Sequence, residues 1–358
     1  MDLTIDLARW LGWTTLGAVA LMVAGLLVLR WVRWRRAPHL AAFEARWLPL
    51  LMGCALGAET GAALPPLTRA QRWPFMKLWL HCQMSLHGPS RQRLAALGRK
   101  MGCHAMALQR ARSMHESERM VGMLALGFLH DSDSVGLLQR QLAQAGARQS
   151  VYASRALLEL DAQAHADAVV RALLDIPELE VSLASVMLKP FRAVLAEALL
   201  RHTPQVDDPR ALGWLRLARA LRLQMPGQVL APFLQPQQDI EVLIAAIRLV
   251  QGEQGAGAVA AHAGHADWRV RAQVARALGF IGGDAELPLL NRMLTDAQWW
   301  VRYRSAQSLM RLPGQGKAQL QALANATGDR YAISMAQAVV AQSTHGPASV
   351  PVRPAGAA

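Results

Sequence analysis

The apolar positions of this chain recur at helical spacing, and the helices they predict recur in turn at about thirty residues. In DWRVRAQVARALG, Asp267 to Gly279, residues Val270, Val274 and Leu278 fall at i, i+4 and i+8 with Ala277 beside them, which gives one buried stripe. Gly282-Gly283 stops that helix. Leu287, Leu290 and Leu294, at i, i+3 and i+7, predict a second helix from Asp284, whose carboxylate is expected to cap it. A second copy of the first helix reads DAQWWVRYRSAQSL, Asp296 to Leu309, with Val301-Arg302 placed 31 residues after Val270-Arg271.

Followed upstream, the last apolar position of each recurring helix falls at Leu126, Leu157, Leu188, Leu221, Val250, Leu278 and Leu309, in steps of 31, 31, 33, 29, 28 and 31. Arg119 and Ala125-Leu126-Gly127 repeat the Arg and the Ala-Leu-Gly of the clearest copy, whereas the middle copies are recognised by spacing alone. Neither helix of a pair buries its apolar face by itself, so neighbouring pairs must stack to do it. No strand run or hairpin turn interrupts the pattern. The expectation is an all-α solenoid of stacked antiparallel helix pairs, an architecture that usually binds rather than catalyses.

Leu294, Asp296, Val301, Arg302, Ser305, Ala306 and Leu309 follow in order the pattern of the short HEAT-like repeats first associated with phycobilisome lyases, and the chain resembles that family. The preceding copy carries Val270, Arg271, Ala275, Leu278 and Gly279, with its Asp267 three residues before the Val instead of five. The resemblance covers residues 115–342 and implies a HEAT-like α-solenoid serving as a protein-binding scaffold. The bilin lyases that share the repeat leave a lyase-type modification enzyme as an alternative. The deoxyhypusine hydroxylases, which also resemble this repeat, hold two irons with several His-Glu pairs. One pair, His115-Glu116, cannot build such a centre.

At the amino-terminal end, Leu11 to Leu29 carries no charge, and the 20 residues between Arg9 and Arg30 are enough to span a bilayer as a helix. Trp10 and Trp13 mark one edge and Trp31 and Trp34 the other, as expected of rings that settle at the two interfaces. Arg30, Arg33, Arg35 and Arg36 follow at once, whereas the flank before the run holds Asp2, Asp6 and Arg9. That asymmetry places residues 1–9 outside, a transmembrane helix at 10–32, and the rest in the cytoplasm of a bacterial inner membrane. A cleaved signal peptide would begin basic and end in small residues, which this segment does not. Residues 33–114 read as a basic juxtamembrane segment and helical cap, with a buried or interfacial run at Leu48–Leu56 and a helix pair across 72–102. Residues 343–358 lack the apolar content to fold and are expected to be disordered.

Composition narrows the partners. The net charge is +13, but residues 30–120 hold 15 Lys or Arg against 4 Asp or Glu, while residues 121–358 hold 22 against 19. The excess lies next to the expected anchor, where anionic headgroups attract basic residues. A nucleic-acid-binding solenoid would carry its charge along the stack, so none is expected here, and a continuous arginine stripe would favour it. Cys54, Cys82 and Cys103 are odd in number, lack metal spacing and suit a reducing compartment as small core hydrophobes. His262 and His265 share a helical spacing but have no further ligand nearby in sequence, and Gly314-Gln315-Gly316-Lys317 reads as a turn. No catalytic residue, cofactor or metal is expected.

What remains is an aromatic and basic group at the start of the last helices: Trp268, Arg271, Trp299, Trp300, Arg302 and Arg304, with Tyr331 near the equivalent place. Trp, Tyr and Arg dominate interface hot spots. The competing assignment has Arg271 and Arg302 in ladders with Asp296 and the indoles covering helix ends. The reading is a membrane-anchored scaffold that binds a partner protein and membrane lipids. An envelope or polysaccharide (glycosyltransferase) complex is the partner class expected, although no residue specifies it.

Overall fold

The computed structural model describes residues 2–57, 64–144, 146–176, 179–312, 314 and 316–345, and for 2–9, 11, 12, 29, 32–39, 144, 344 and 345 the backbone alone. Every regular element among the described residues is helical. The chain divides into two compact units, Met1–Val135 and Gly136–Ala358.

The first unit holds α1 (Asp2–Leu56), α2 (Arg72–Ser85), α3 (Pro89–Lys100), α4 (Cys103–Ala111) and α5 (Glu116–Phe128). α1 is one continuous helix of 55 residues, so the expected end at 32 and the separate run at 48–56 merge into a single element. Its two ends differ. Trp47, Leu51 and Ala55 are buried, with the Trp47 ring edge-on to Phe75 at 4.9 Å and the Ala55 carbonyl accepting from Arg93 Nη1 at 3.2 Å. Leu16, Leu21, Met22, Leu26 and Leu27 on the same helix are exposed, as are Trp10, Trp13, Arg30 and Trp31. Among the described residues, no helix is long and apolar enough to cross a membrane. The side chains of Arg33, Trp34, Arg35 and Arg36 lie outside the described residues.

The expected helix pair across 72–102 is present as α2 and α3. Phe75, Trp79 and Leu94 are fully buried, and Trp79 Nε1 donates to the Leu94 carbonyl at 2.8 Å, which satisfies the one polar atom of the indole. α4 and α5 pack so closely that a β-carbon on Gly122 would lie 2.3 Å from the Ala111 amide nitrogen. That approach holds α5 against α4 within the same compact unit. Cys82 and Cys103 are buried and Cys54 is half-buried, and burial pushes the Cys103 thiol up to about 12. A thiol held protonated in this way is an inert core group.

In the second unit, a first series of helices packs consecutively: α7 (Ala147–Leu160), α9 (Val181–Met187), α11 (Ala211–Ala220), α13 (Ile240–Ile247), α15 (Trp268–Ile281), α17 (Trp299–Leu309) and α19 (Arg330–His345). α6 (Val135–Gln144) precedes them, and between them in sequence run α8 (Ala162–Leu174), α10 (Arg192–Arg201), α12 (Gly227–Leu230), α14 (Ala256–Ala260), α16 (Leu287–Met293) and α18 (Lys317–Ala326). This is the expected stack. Leu157, Leu188, Leu221, Leu278 and Leu309, the positions picked out by spacing, are buried, and Val250 packs half-buried against the same core. Burial of each such leucine contributes on the order of 1.5–3 kcal/mol.

Local chemistry fixes the helix ends. Asp267 accepts from the Arg269 amide at 2.7 Å as the cap of α15. Gly282 closes α15 with its amide on the Leu278 carbonyl, and a β-carbon there would meet that oxygen at 2.6 Å. Asp284, expected as the next cap, instead lies inside a short 3₁₀ turn, and Glu286 reaches back to accept from the Gly283 amide at 2.8 Å. The longer Glu side chain spans the turn that the Asp cannot. α19 runs to His345, so the first three residues of the expected tail are helical; 346–358 lie outside the described residues.

Candidate functional site

Two rows of arginine arise from the repeat, and they behave differently. In the first, Arg271 and Arg302 hold the repeat's own backbone. Arg271 Nη1 donates to the carbonyls of His265 and Ala266 at 2.8 and 2.9 Å, and Arg302 Nη1 to those of Asp296 and Ala297 at 2.7 and 3.0 Å. The same two offsets recur in the amino-terminal unit, where Arg119 Nη1 donates to Ser113 and Met114 at 2.9 and 3.0 Å. This shared bond pattern places the helix at Arg119 in the same repeat class as the two strong copies.

Arg271 also makes the expected inter-repeat bond: Nε and Nη2 grip the Asp296 carboxylate at 2.8 and 3.0 Å. Burial alone would raise the Asp296 carboxyl, but the Arg271 guanidinium and the Gln298 amide outweigh it and hold the group below the usual carboxylate range. Arg302 is buried and lies over the Tyr331 ring at 5.3 Å. Arg271 and Arg302, expected at a partner surface, are therefore part of the scaffold itself. Their fork geometry suits carbonyl and carboxylate clasping.

Of the second row, only Arg304 was among the residues expected from the sequence. Arg248 caps the end of α13, Arg276 sits on α15 and Arg304 on α17, at a constant step of 28 residues. All three line one groove of about 290 Å³, together with Ile244, Trp268, Ala272, Gln273 and Trp300. Arg269 and Glu241 complete the lining and are ion-paired to each other at 3.0 Å, with Arg269 also paired to Asp267. Among the described residues, Arg248, Arg276 and Arg304 form no ion pair. Arg248 Nε donates to Gln273 Oε1 and Arg304 Nη1 to Gln307 Oε1, each at 2.9 Å; Glu241 lies near enough to favour the Arg248 charge, and Arg304 lies over the Tyr303 ring at 5.6 Å.

Burial and the neighbouring cations Arg219 and Arg276 hold the Arg248 guanidinium below its ordinary value. Burial, with Arg276 and Arg311, does the same to Arg304. Both remain protonated at neutral pH. Close packing of α15 on α17 makes the row possible: a β-carbon on Gly279 would lie 2.3 Å from Ser308 Oγ and 2.7 Å from its Cα.

Of the expected aromatic group, Trp268 and Trp300 face the groove and are 36% and 37% exposed. Trp299 does not join them. It is half-buried against the core and stacks on Tyr303 at 5.1 Å and 13°, with Tyr303 in turn bonded to Gln342. Adjacent residues on a helix point about 100° apart, so one indole turns to the core and the other to the groove. Arg304 alone of the three expected arginines reaches the groove.

His262 is buried with Nε2 at 2.9 Å from the Leu234 carbonyl, and His265 Nδ1 accepts from the Asp267 amide at 3.0 Å, so both rings serve the fold. No group of three or more His, Cys, Asp or Glu among the described residues is arranged to hold a metal. Gly314 has a φ of 72°, a conformation suited to the expected turn.

Comparison with curated proteins finds no match. The description HEAT repeats matches residues 227–310 and 255–341, which include α13, α15 and α17 and cover the carboxyl-terminal part of the expected repeat region. That match, joined to the stack of helices, supports a HEAT-like repeat protein of the all-α solenoid type.

Proposed function

We propose that this chain is a non-catalytic scaffold that binds a partner protein through the α13–α15–α17 face while its amino-terminal helix anchors it at the cytoplasmic side of an inner membrane. The observation that carries the binding half is the groove in which two exposed tryptophans flank three arginines without carboxylate partners. Such a group has the composition of an interface hot spot. The observations behind the anchor are the uncharged run 11–29 of the sequence and the exposed apolar side chains along that part of α1. Tethering confines the scaffold to a surface and raises the local concentration of what it holds. An envelope or polysaccharide assembly enzyme is the partner class proposed.

Cross-linking in the native membrane followed by capture of the full-length chain tests the binding half, with Trp268→Ala plus Trp300→Ala beside it. A reproducible partner lost in the double variant supports the reading; a partner retained at full yield overturns the choice of face. Carboxyl-terminal reporters test the topology, and activity of a periplasm-only reporter there overturns it. Release of the full-length protein from membranes by high salt alone overturns the anchor.

A further inference from the structure

A cleft of about 1300 Å³ lies between α1 and α2 in the first unit. Trp47, Leu51 and Ala55 turn one side of α1 into the core of that unit, while Leu40, Phe43, Leu48 and Met52 line the cleft from a neighbouring side, with Leu40 and Leu48 exposed. Trp73 and Leu78 stand on the α2 wall. Lipid does not cover this stripe on the anchor reading. Leu40 follows Leu29 by 11 residues, about 16 Å along a helix, whereas the headgroup layer is about 5–7 Å deep.

Two charges select the neighbour. Glu44 lines the cleft from α1 and Lys77 from α2. Residues 30–120 hold 15 basic against 4 acidic residues, yet among the described residues neither Glu44 nor Lys77 forms an ion pair. Lys77 Nζ lies instead over the Trp73 ring at 4.9 Å. Because the Trp47 ring meets Phe75 at 4.9 Å, Lys77 and Glu44 differ in level along α1 by no more than about 8 Å whichever way α2 runs. Their long side chains span such a gap. An apolar wall with one acid faces an apolar wall with one base, so the cleft is complementary to itself.

We propose that the cleft takes the α1 helix of a second copy of this chain, the two copies pairing about a two-fold axis parallel to α1 with Glu44 of each facing Lys77 of the other. This rests on reading residues 10–32 as the anchor. α1 is one continuous helix, so a copy in the same bilayer presents the same apolar stripe at the same height and in the same direction. A two-fold contact is isologous, and each copy supplies both halves of it. Confinement to one membrane raises the concentration of each copy near the other.

The test is co-expression of two full-length chains with different tags, extraction in mild detergent, capture on one tag and detection of the other. The parent chain is expected to capture itself. Glu44→Lys in both copies, or Lys77→Glu in both, sets like charges face to face twice and is expected to cut the captured yield about tenfold or more. The thermal transition is expected to stay in place, because both side chains are exposed. One copy with Glu44→Lys and the other with Lys77→Glu regains two opposite-charge contacts and is expected to recover the parent yield. Absence of self-capture, indifference to the paired changes, or failure of the mixed pair to recover overturns the proposal. So does capture of a different membrane protein, lost with Glu44→Lys, in place of a second copy. The anchor reading fails separately. If high salt alone releases the protein while the capture pattern holds, the anchor falls and the pair stands; if the protein resists salt and captures no second copy, the pair falls and the anchor stands.

Discussion

α15 carries Arg271 and Arg276 and α17 carries Arg302 and Arg304, and the members of each pair have opposite fates. Arg271 and Arg302 are engaged by carbonyls and, for Arg271, by the Asp296 carboxylate; Arg276 and Arg304 have no ionic partner among the described residues and line an open groove. The residue type is the same, and the helix is the same. What differs is the neighbour: the loop five and six residues before it for the first row, and side chains of the adjacent repeat for the second. A repeated arginine is thus a structural device in one register and a candidate binding device in the other.

The largest expected effect comes from breaking the first row at its most buried member. Arg302→Ala leaves the Asp296 and Ala297 carbonyls without their donor in a closed site, and is expected to cost about 3 kcal/mol in urea unfolding. Loss of less than about 1 kcal/mol would show that water replaces the guanidinium there.

Arg271→Ala is next, at about 2 kcal/mol, because it strips a partly buried carboxylate of its cation. It also carries a pH signature. Since the folded-state value for Asp296 is lowered, the pair's contribution is fully present above the ordinary carboxylate value, near 3.9, and is lost as pH falls through the lowered native value. The unfolded chain binds the extra proton first, so stability rises with pH across that window. Acid titration of unfolding is expected to be shallower in Arg271→Ala than in the parent; an unchanged slope would remove Asp296 as its source.

Gly279→Ala is expected to cost about 1–2 kcal/mol by forcing α15 off α17. It would also spread Arg276 from Arg304, so it links the two rows: groove binding should weaken with stability in this variant alone. The smallest effect belongs to the second row. Arg276→Gln is expected to change stability by no more than about 0.5 kcal/mol, and added salt is expected to raise the parent's melting temperature slightly by screening the row. A drop of 2 kcal/mol or more would place Arg276 with the structural arginines.

Much of this was legible in the residues. The stripe of Val270, Val274 and Leu278 and the cap at Asp267 are local, and they appear in the structure where periodicity and capping chemistry put them. The ladder of Arg271 with Asp296 was also readable, because repeat spacing brings the two onto neighbouring layers. Less visible were the close approach of Gly122 to α4 and the inward turn of Trp299, which stacks on Tyr303. The 28-residue step of Arg248, Arg276 and Arg304 was present in the sequence, but it lay off the apolar stripe that the repeat was traced by.

By itself the sequence determined the helices, their repeat and which faces must be buried, because helical periodicity and end-capping are settled within a few residues along the chain. Only the tertiary structure decided which arginines share a groove and which indole faces it. Those outcomes depend on side chains from different repeats brought together by stacking, and the free energy of a charge is set by the neighbours it acquires.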